Sequence, residues 1–367
     1  MAYKDAQFIS YVIDTFPSDL SGVKTYLGNI NAEQDIRKRC QIMRHAIAQA
    51  TAHTDIVTNS NTLKIFMAPE FYFRGDKGAY PIELVSLIME DIRKMVSLKK
   101  YEHWIFVLGT ALGYLDSNGT KEIMNMALVQ KGGSQELDAQ HTLIVYKEYI
   151  SHIDFIKLLH KCSNPGCTGF AICNTCHMPY DPQWHDPAGR HVLVAGTGSL
   201  VSPVQGSRDV LSGNMNSTGR GREKTQSGLG GQGIFTMGGI TFGLEVCLDH
   251  AYKRLRDSPP AKGDNEIQIQ LIPSAGMAIE QDAVACKKKG LIFNVDGGGG
   301  GRHAHVNRNI GDYGHPYLEK RYPTPSYARK SVIHLVNTVY DWNQYFQDQG
   351  CIEIFDPLAI PTASKAT

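Results

Sequence analysis

The 367-residue chain has no apolar run approaching the ~20 residues of a membrane helix, so no helical span and no membrane partner are expected. Its first residues, MAYKDAQFISYVIDTF, lack a basic stretch followed by a long apolar one. No secretory signal is expected, and the protein is expected in the cytoplasm. An excess of one charge is also missing. Lys plus Arg number 37 against 36 for Asp plus Glu, so the net charge of +1 gives no electrostatic ground for a nucleic acid or an anionic surface as partner. No segment repeats. The glycines Gly297 to Gly301 lack the Lys-Ser/Thr of a phosphate loop, so nucleotide binding is not expected there. Hydrophobic residues are plentiful at 42%, which excludes whole-chain disorder. The length allows one large core or two modest ones. Eight cysteines in a chain expected in a reducing compartment read as thiols or metal ligands before disulfides.

What is present is an alternation of strands and helices. QFISYVIDTF reads as a first strand. In AEQDIRKRCQIMRHAIAQAT the apolar Ile36, Cys40, Met43, Ile47 and Ala50 recur at helical spacing. TLKIFMAPE is a strand ending in Pro69 and Glu70. PIELVSLIMEDIRKMVSL is helical, with Pro81 in the first turn. HWIFVLGTALGYL, IMNMALVQKGG and HTLIVYKEYIS are strands, the last carrying Lys147. From about 151 to 233 the chain is rich in Cys, Gly, Ser and Pro, and regular order is not expected. GIFTMGGITFGLEVC predicts a hairpin turning at Gly238-Gly239. A short helix AYKRLRD, a strand EIQIQLIPSAG, a helical segment and a strand KGLIFNVDG follow. Gly297 to Lys330 reads as loop. SVIHLVNTVYDWNQYF fits strand or helix, and GCIEIFDP is a late strand. Interleaved strands and helices predict an α/β sandwich.

Three reactive groups stand where apolar strands stop: Glu70, Lys147 and Cys247. In layered α/β folds, ligands and chemistry gather at the carboxyl edge of the strands. A base, a cation and a thiol at such edges suit nucleophilic attack on a carbonyl-like carbon. The thiolate is the nucleophile, and a carboxylate can take its proton. An ammonium and nearby backbone N–H groups can hold the developing oxyanion. Singly, each has a plain alternative: Cys247 as a small buried hydrophobe, Glu70 as a strand-end carboxylate, Lys147 as a snorkelling lysine. Their ordered occurrence favours the catalytic assignment.

The set FMAPEFYFRG, NMALVQKGG…IVYKEYIS, FGLEVCLDH and IQLIPSAG resembles, in order and setting, the nitrilase superfamily of carbon-nitrogen hydrolases. The resemblance covers most of residues 5 to 300. It implies a four-layer αββα sandwich and a Glu–Lys–Cys triad. Glu70 matches the general base, Lys147 the lysine and Cys247 the nucleophile; Asn125 matches the family's usual Asn. It implies one domain over residues 1–367 with an inserted segment at about 151–233. A C-terminal extension from about 301 to 367 aligns with nothing in the family and is expected to pack on a partner subunit, in a homodimer or larger homo-oligomer. Many members carry a second glutamate after the lysine. Here Asp154 is preferred over Glu148, because Glu148 should face away from Lys147 on an extended strand. Tyr72, Arg74, His152 and Ser274 are pocket candidates by position, and Leu248 supplies an N–H to the oxyanion.

The inserted segment contains Cys162, Cys167, Cys173 and Cys176, spaced C-x4-C-x5-C-x2-C. Four thiolates so close can enclose a tetrahedral structural Zn²⁺, with free thiols or disulfides as the alternatives. The Gly/Ser-rich stretch after it reads as a loop or a lid. No cofactor is expected for catalysis. The expected reaction is hydrolysis of a non-peptide C–N bond in a small-molecule amide, through a thioester on Cys247. Nitrile hydrolysis and acyl transfer are alternatives on the same triad. A zinc-bearing interaction module on an inactive scaffold is the alternative of another class.

Overall fold

The computed structural model describes residues 3–16, 18–20, 23–117, 120–136, 140–147, 157–160, 180–185, 191–194, 233–257, 267–298, 302–312, 315–321, 325–336 and 341–362. Two mixed sheets pack face to face. The first is built on β1 (Asp5–Val12), β2 (Thr62–Ala68), β3 (Trp104–Ser117), β4 (Thr120–Lys131) and β5 (Thr142–Tyr146). The second runs, in spatial order, β6 (Ile234–Met237), β7 (Ile240–Leu244), β8 (Ile269–Ser274), β9 (Leu291–Asp296) and β10 (Ala304–Arg308). In each sheet three neighbouring strands are parallel: β1, β2 and β3 in one, β7, β8 and β9 in the other. Their carboxyl ends therefore share an edge.

Strand alternation sorts the side chains into two layers. Phe8, Ile65, Met67, Val107 and Val129 point toward the second sheet and meet Phe242, Leu271 and Phe293. The rings of Phe8 and Phe293 lie 4.8 Å apart. Ile9, Tyr11, Phe66 and Phe106 point the other way, under α1 (Ala32–Ala52) and α2 (Ile82–Val96). Helix α1 starts at Asn31, whose side chain accepts the Gln34 N–H at 3.0 Å, and its first turn carries Glu33 and Asp35. The predicted stripe of Ile36, Cys40, Met43, Ile47 and Ala50 is buried. Pro81 stands just before α2 instead of inside its first turn. The hairpin turn is as predicted: Gly238 and Gly239 have φ of 61° and 79°, both left-handed, as a two-residue hairpin loop requires.

The outer face of the second sheet is covered thinly, by α3 (Leu248–Ala251), α4 (Arg254–Asp257) and the segment from Ile279 to Cys286. That segment was expected to be helical, and it holds only a 3-10 turn at Gln281–Ala283. Side chains capture its backbone donors instead: Glu280 N–H goes to His250 and Ala285 N–H to Gln270. A second correction concerns Gly297 to Lys330, expected as loop. Ala304–Arg308 is β10, paired antiparallel with β9, and with small Ala304 and only Val306 as a large apolar residue its alternation was hidden.

Among the described residues, the C-terminal part contributes to the core of its own chain. Within it, β11 (Arg329–His334) and β12 (Cys351–Phe355) extend the first sheet, β12 pairing with β1 in the register Ile9 to Ile354. The ambiguous SVIHLVNTVYDWNQYF thus divides into a strand and a 3-10 turn at Trp342–Gln344. Trp342 and Phe346 pack into the core under α1. Within the segment from about 151 to 233, Lys157–His160, Tyr180–His185 and His191–Val194 form a small antiparallel sheet, where no regular order was expected. Cys162, Cys167, Cys173 and Cys176 lie outside the described residues, as do Glu148, His152 and Asp154.

Candidate active site

Two consecutive carbonyls at the end of β8 gather the site. Pro273 O accepts the Cys247 N–H at 3.1 Å, and Ser274 O accepts the Glu70 N–H at 3.3 Å. The second bond crosses from one sheet to the other, so the ends of β2 and β7 meet at one place. Lys147 follows β5 directly, and its N–H is held by Asn125 O at 2.8 Å. Its side chain then reaches Glu70 Oε1 at 2.8 Å, across 77 residues of sequence. Asn125 Nδ2 donates to the same oxygen at 2.8 Å. Glu70 is fully buried, and Lys147, Cys247 and Asn125 are at most 8% exposed. An ion pair taken that far from water persists only with additional hydrogen bonds, and Asn125 supplies one.

Cys247 sits on a sharp turn between β7 and α3, with φ 47° and ψ −108°. Such a backbone costs a β-carbon residue about 1–3 kcal/mol and persists only where its surroundings over-determine it. The next residue, Leu248, opens α3, and the first N–H groups of a helix have no partner inside it. The Cys247 Sγ lies 3.9 Å from Ala275 O. His250, three residues on, is not a proton acceptor for this thiol. Its Nε2 accepts the Glu280 N–H at 2.9 Å, which places the ring proton on Nδ1, and Nδ1 donates to Glu245 Oε1 at 2.7 Å. This is a hydrogen bond from a neutral ring and not an ion pair.

Phe71 is a neighbour that the sequence did not single out. Its φ of 64° is left-handed, and its N–H is taken by Thr110 Oγ1 at 2.8 Å. Its ring lies 5.6 Å from Lys147 Nζ and 4.2 Å from the Arg74 guanidinium. Arg74, expected near the pocket, is thus joined to the triad through Phe71, and its guanidinium also stacks on Tyr26 at 4.3 Å. The left-handed residue turns Tyr72 away. Tyr72 is buried on the helix side, its hydroxyl donating to Arg39 O at 3.2 Å, so it is no pocket residue. Ser274 has a supporting role as well. Its hydroxyl is shared between Met277 O and Val295 O and accepts from Asn294, while its carbonyl holds Glu70.

A small cavity of about 20 Å³, room for one water, lies among Phe71, Arg74, Asp14 and Tyr26. A concavity of about 1110 Å³ opens at the opposite ends of the strands, between His103, Lys131, His141 and the Gly238-Gly239 turn. It is remote from the triad.

No family model and no curated protein sequence matches the chain. Among solved structures, it is similar to a glutamine-dependent NAD(+) synthetase from Cytophaga hutchinsonii at 12% identity and a TM-score of 0.33. That match covers 86% of this chain and 40% of the synthetase, so the chain spans well under half of its length. It is similar to a mutant of Nesterenkonia AN1 amidase from the nitrilase superfamily, at 9% identity and a TM-score of 0.37, over 86% of each chain. It is similar also to Saccharomyces cerevisiae Nit3, a member of branch 10 of that superfamily, at 11% identity and a TM-score of 0.34, over 86% of this chain and 85% of that one. Likeness at this level carries no argument about chemistry.

Proposed function

We propose that this protein is a carbon-nitrogen hydrolase of the nitrilase type, acting on a non-peptide amide in a small molecule. The observation that supports it most is the Glu70 carboxylate. One oxygen receives both Lys147 and Asn125 at 2.8 Å in a fully buried setting, beside the strained turn of Cys247. These donors stabilise negative charge on Glu70. Glu70 takes the Cys247 proton as Sγ bonds to the amide carbon. The oxyanion is held by the Lys147 ammonium and the Leu248 N–H. The C–N bond then breaks as Glu70 passes its proton to the departing amine. Water, deprotonated by Glu70, attacks the thioester, and Sγ leaves and recovers the proton.

An amide is favoured over a nitrile because Leu248 follows Cys247, where the nitrile-cleaving branch resembles Cys-Trp. Acyl transfer would replace the water by an amine. The protein is proposed to work in the cytoplasm as a homodimer, without a catalytic cofactor. A zinc-bearing module on an inactive scaffold would have no use for a buried Glu70–Lys147 pair. A thiol-reactive probe should label Cys247 far faster than Cys40, Cys286 or Cys351. A screen of amides and nitriles by thermal shift on Cys247→Ala would find the substrate, and Cys247→Ala should abolish its turnover while leaving the fold intact. Wild-type turnover by Cys247→Ala would overturn the proposal.

A further inference from the structure

The turn that carries Cys247 is clipped from behind by side chains that touch no reacting atom. Glu245, two residues before the thiol, is fully buried. Its Oε1 accepts His250 Nδ1 at 2.7 Å and Gln270 Nε2 at 2.6 Å, and its Oε2 accepts the Leu255 N–H at 3.1 Å. His250, three residues after the thiol, is fully buried too and is anchored on its other nitrogen by Glu280 N–H at 2.9 Å. Between them the chain leaves the line of β7. Glu245 N–H still pairs with Leu271 O at 3.2 Å and Cys247 N–H with Pro273 O at 3.1 Å. Beyond Cys247, the Asp249 and His250 N–H groups turn back onto Val246 O and Cys247 O at 3.0 and 2.8 Å. The side-chain bond from Glu245 to His250 therefore closes across the left-handed residue. It joins the last strand-like residue before the kink to the helix after it.

We infer, on the footing of the hydrolase proposed above, that Glu245 and His250 are positioning residues whose hydrogen bond holds the Cys247 turn in its strained conformation and so aims the thiol. The bond to Glu245 spans the kink. The bond to Glu280 only ties the ring to the covering segment. The two can be separated by substitution. In His250→Asn the short amide places an N–H where Nδ1 stood and keeps the bond to Glu245. In His250→Gln the longer amide offers its oxygen to Glu280 and leaves Glu245 without that donor.

The measurement is the second-order rate of Cys247 alkylation by iodoacetamide, followed by mass spectrometry on the full chain, with the half-buried Cys351 as internal reference. His250→Asn should stay within threefold of the unsubstituted protein, and His250→Gln should be at least tenfold slower. A purely structural His250 would slow both alike or neither, and either result overturns the positioning role, as does a slowing of His250→Gln below tenfold. Should His250→Gln not fold, Glu245→Gln replaces it. The carboxamide sets an amino group against one of three donors and should slow alkylation at least fivefold; a smaller effect overturns the inference. Alkylation of Cys247 in the unsubstituted protein no faster than that of Cys351 would instead bring down the hydrolase proposal, and the positioning role with it.

Discussion

Glu70 and Lys147 illustrate how a residue pair can be indispensable without adding net stability. Both are out of water, so each depends on the other for its charge. Lys147→Met leaves an unpaired buried carboxylate and should cost about 3–5 kcal/mol in urea unfolding. Adding Glu70→Gln to it should recover part of that loss, because the variant holds no uncompensated charge. Single losses that simply add in the double variant would show that the two side chains do not interact in solution. Asn125 was legible at this scale only through the family likeness. Phe71 and Glu245 were not legible at all, because nothing local marks a phenylalanine for a left-handed backbone or a glutamate for three buried donors.

Elements place these residues, and two details of their construction can be tested. Strand β3 carries Gly109 in a left-handed conformation, φ +72°, where its pairing with β4 shifts register. A Cβ there would sit 2.3 Å from Pro69 O, the carbonyl just before Glu70. Gly109→Ala should therefore cost about 1–3 kcal/mol of stability from backbone strain, and it should also lower turnover by shifting Glu70. Unchanged stability and turnover would mean the bulge is not built as described. Strand β2 carries Lys64 on its helix-facing side, 3% exposed, with Nζ donating to Thr62 O at 2.9 Å and Asn59 O at 3.4 Å. Burial pushes its pKa down from 10.5 to about 8. The folded state thus holds this proton more weakly than the unfolded chain. Below pH 8 both states are protonated and the cost of burying the ammonium is fully present. Between pH 8 and 10.5 the folded state sheds the proton first, so stability should rise with pH across that window. Unfolding midpoints near pH 7.5 and 9.5 should show Lys64→Met ahead of the wild type at the lower pH, with the gap narrowing at the higher. A gap that does not change would refute the assignment.

For the whole molecule, the sandwich and the inserted segment obey different physics. The two sheets bury a continuous apolar layer and need no staple. The segment from about 151 to 233 is rich in Cys, Gly, Ser and Pro, and its part from Gly196 onward has few large apolar residues from which to build a core. A metal bound by Cys162, Cys167, Cys173 and Cys176 would supply the missing stabilisation, since zinc binding free energy becomes folding free energy. Protein purified without chelator should contain about one zinc per chain by elemental analysis, and Cys173→Ser with Cys176→Ser should lose it. Zinc well below one equivalent, with all four thiols titrating freely, would leave them as ordinary loop cysteines.

The sequence by itself determined strands β1 to β9 and β12, both long helices, the Gly238-Gly239 hairpin and the three strand ends that carry Glu70, Lys147 and Cys247. Each is written in local periodicity or local turn chemistry, which burial on one face imposes on consecutive residues. Tertiary structure alone decided the rest. The helical pattern expected before Cys286 lost to His250 and Gln270, which captured its backbone donors from elsewhere in the chain. Strand β12 joined β1, more than three hundred residues away, and β11 joined β12, because an open sheet edge accepts any strand whose alternation fits. Glu70 and Lys147 met because β2 and β5 stop at the same edge of one sheet, a matter of strand order that no stretch of either strand records.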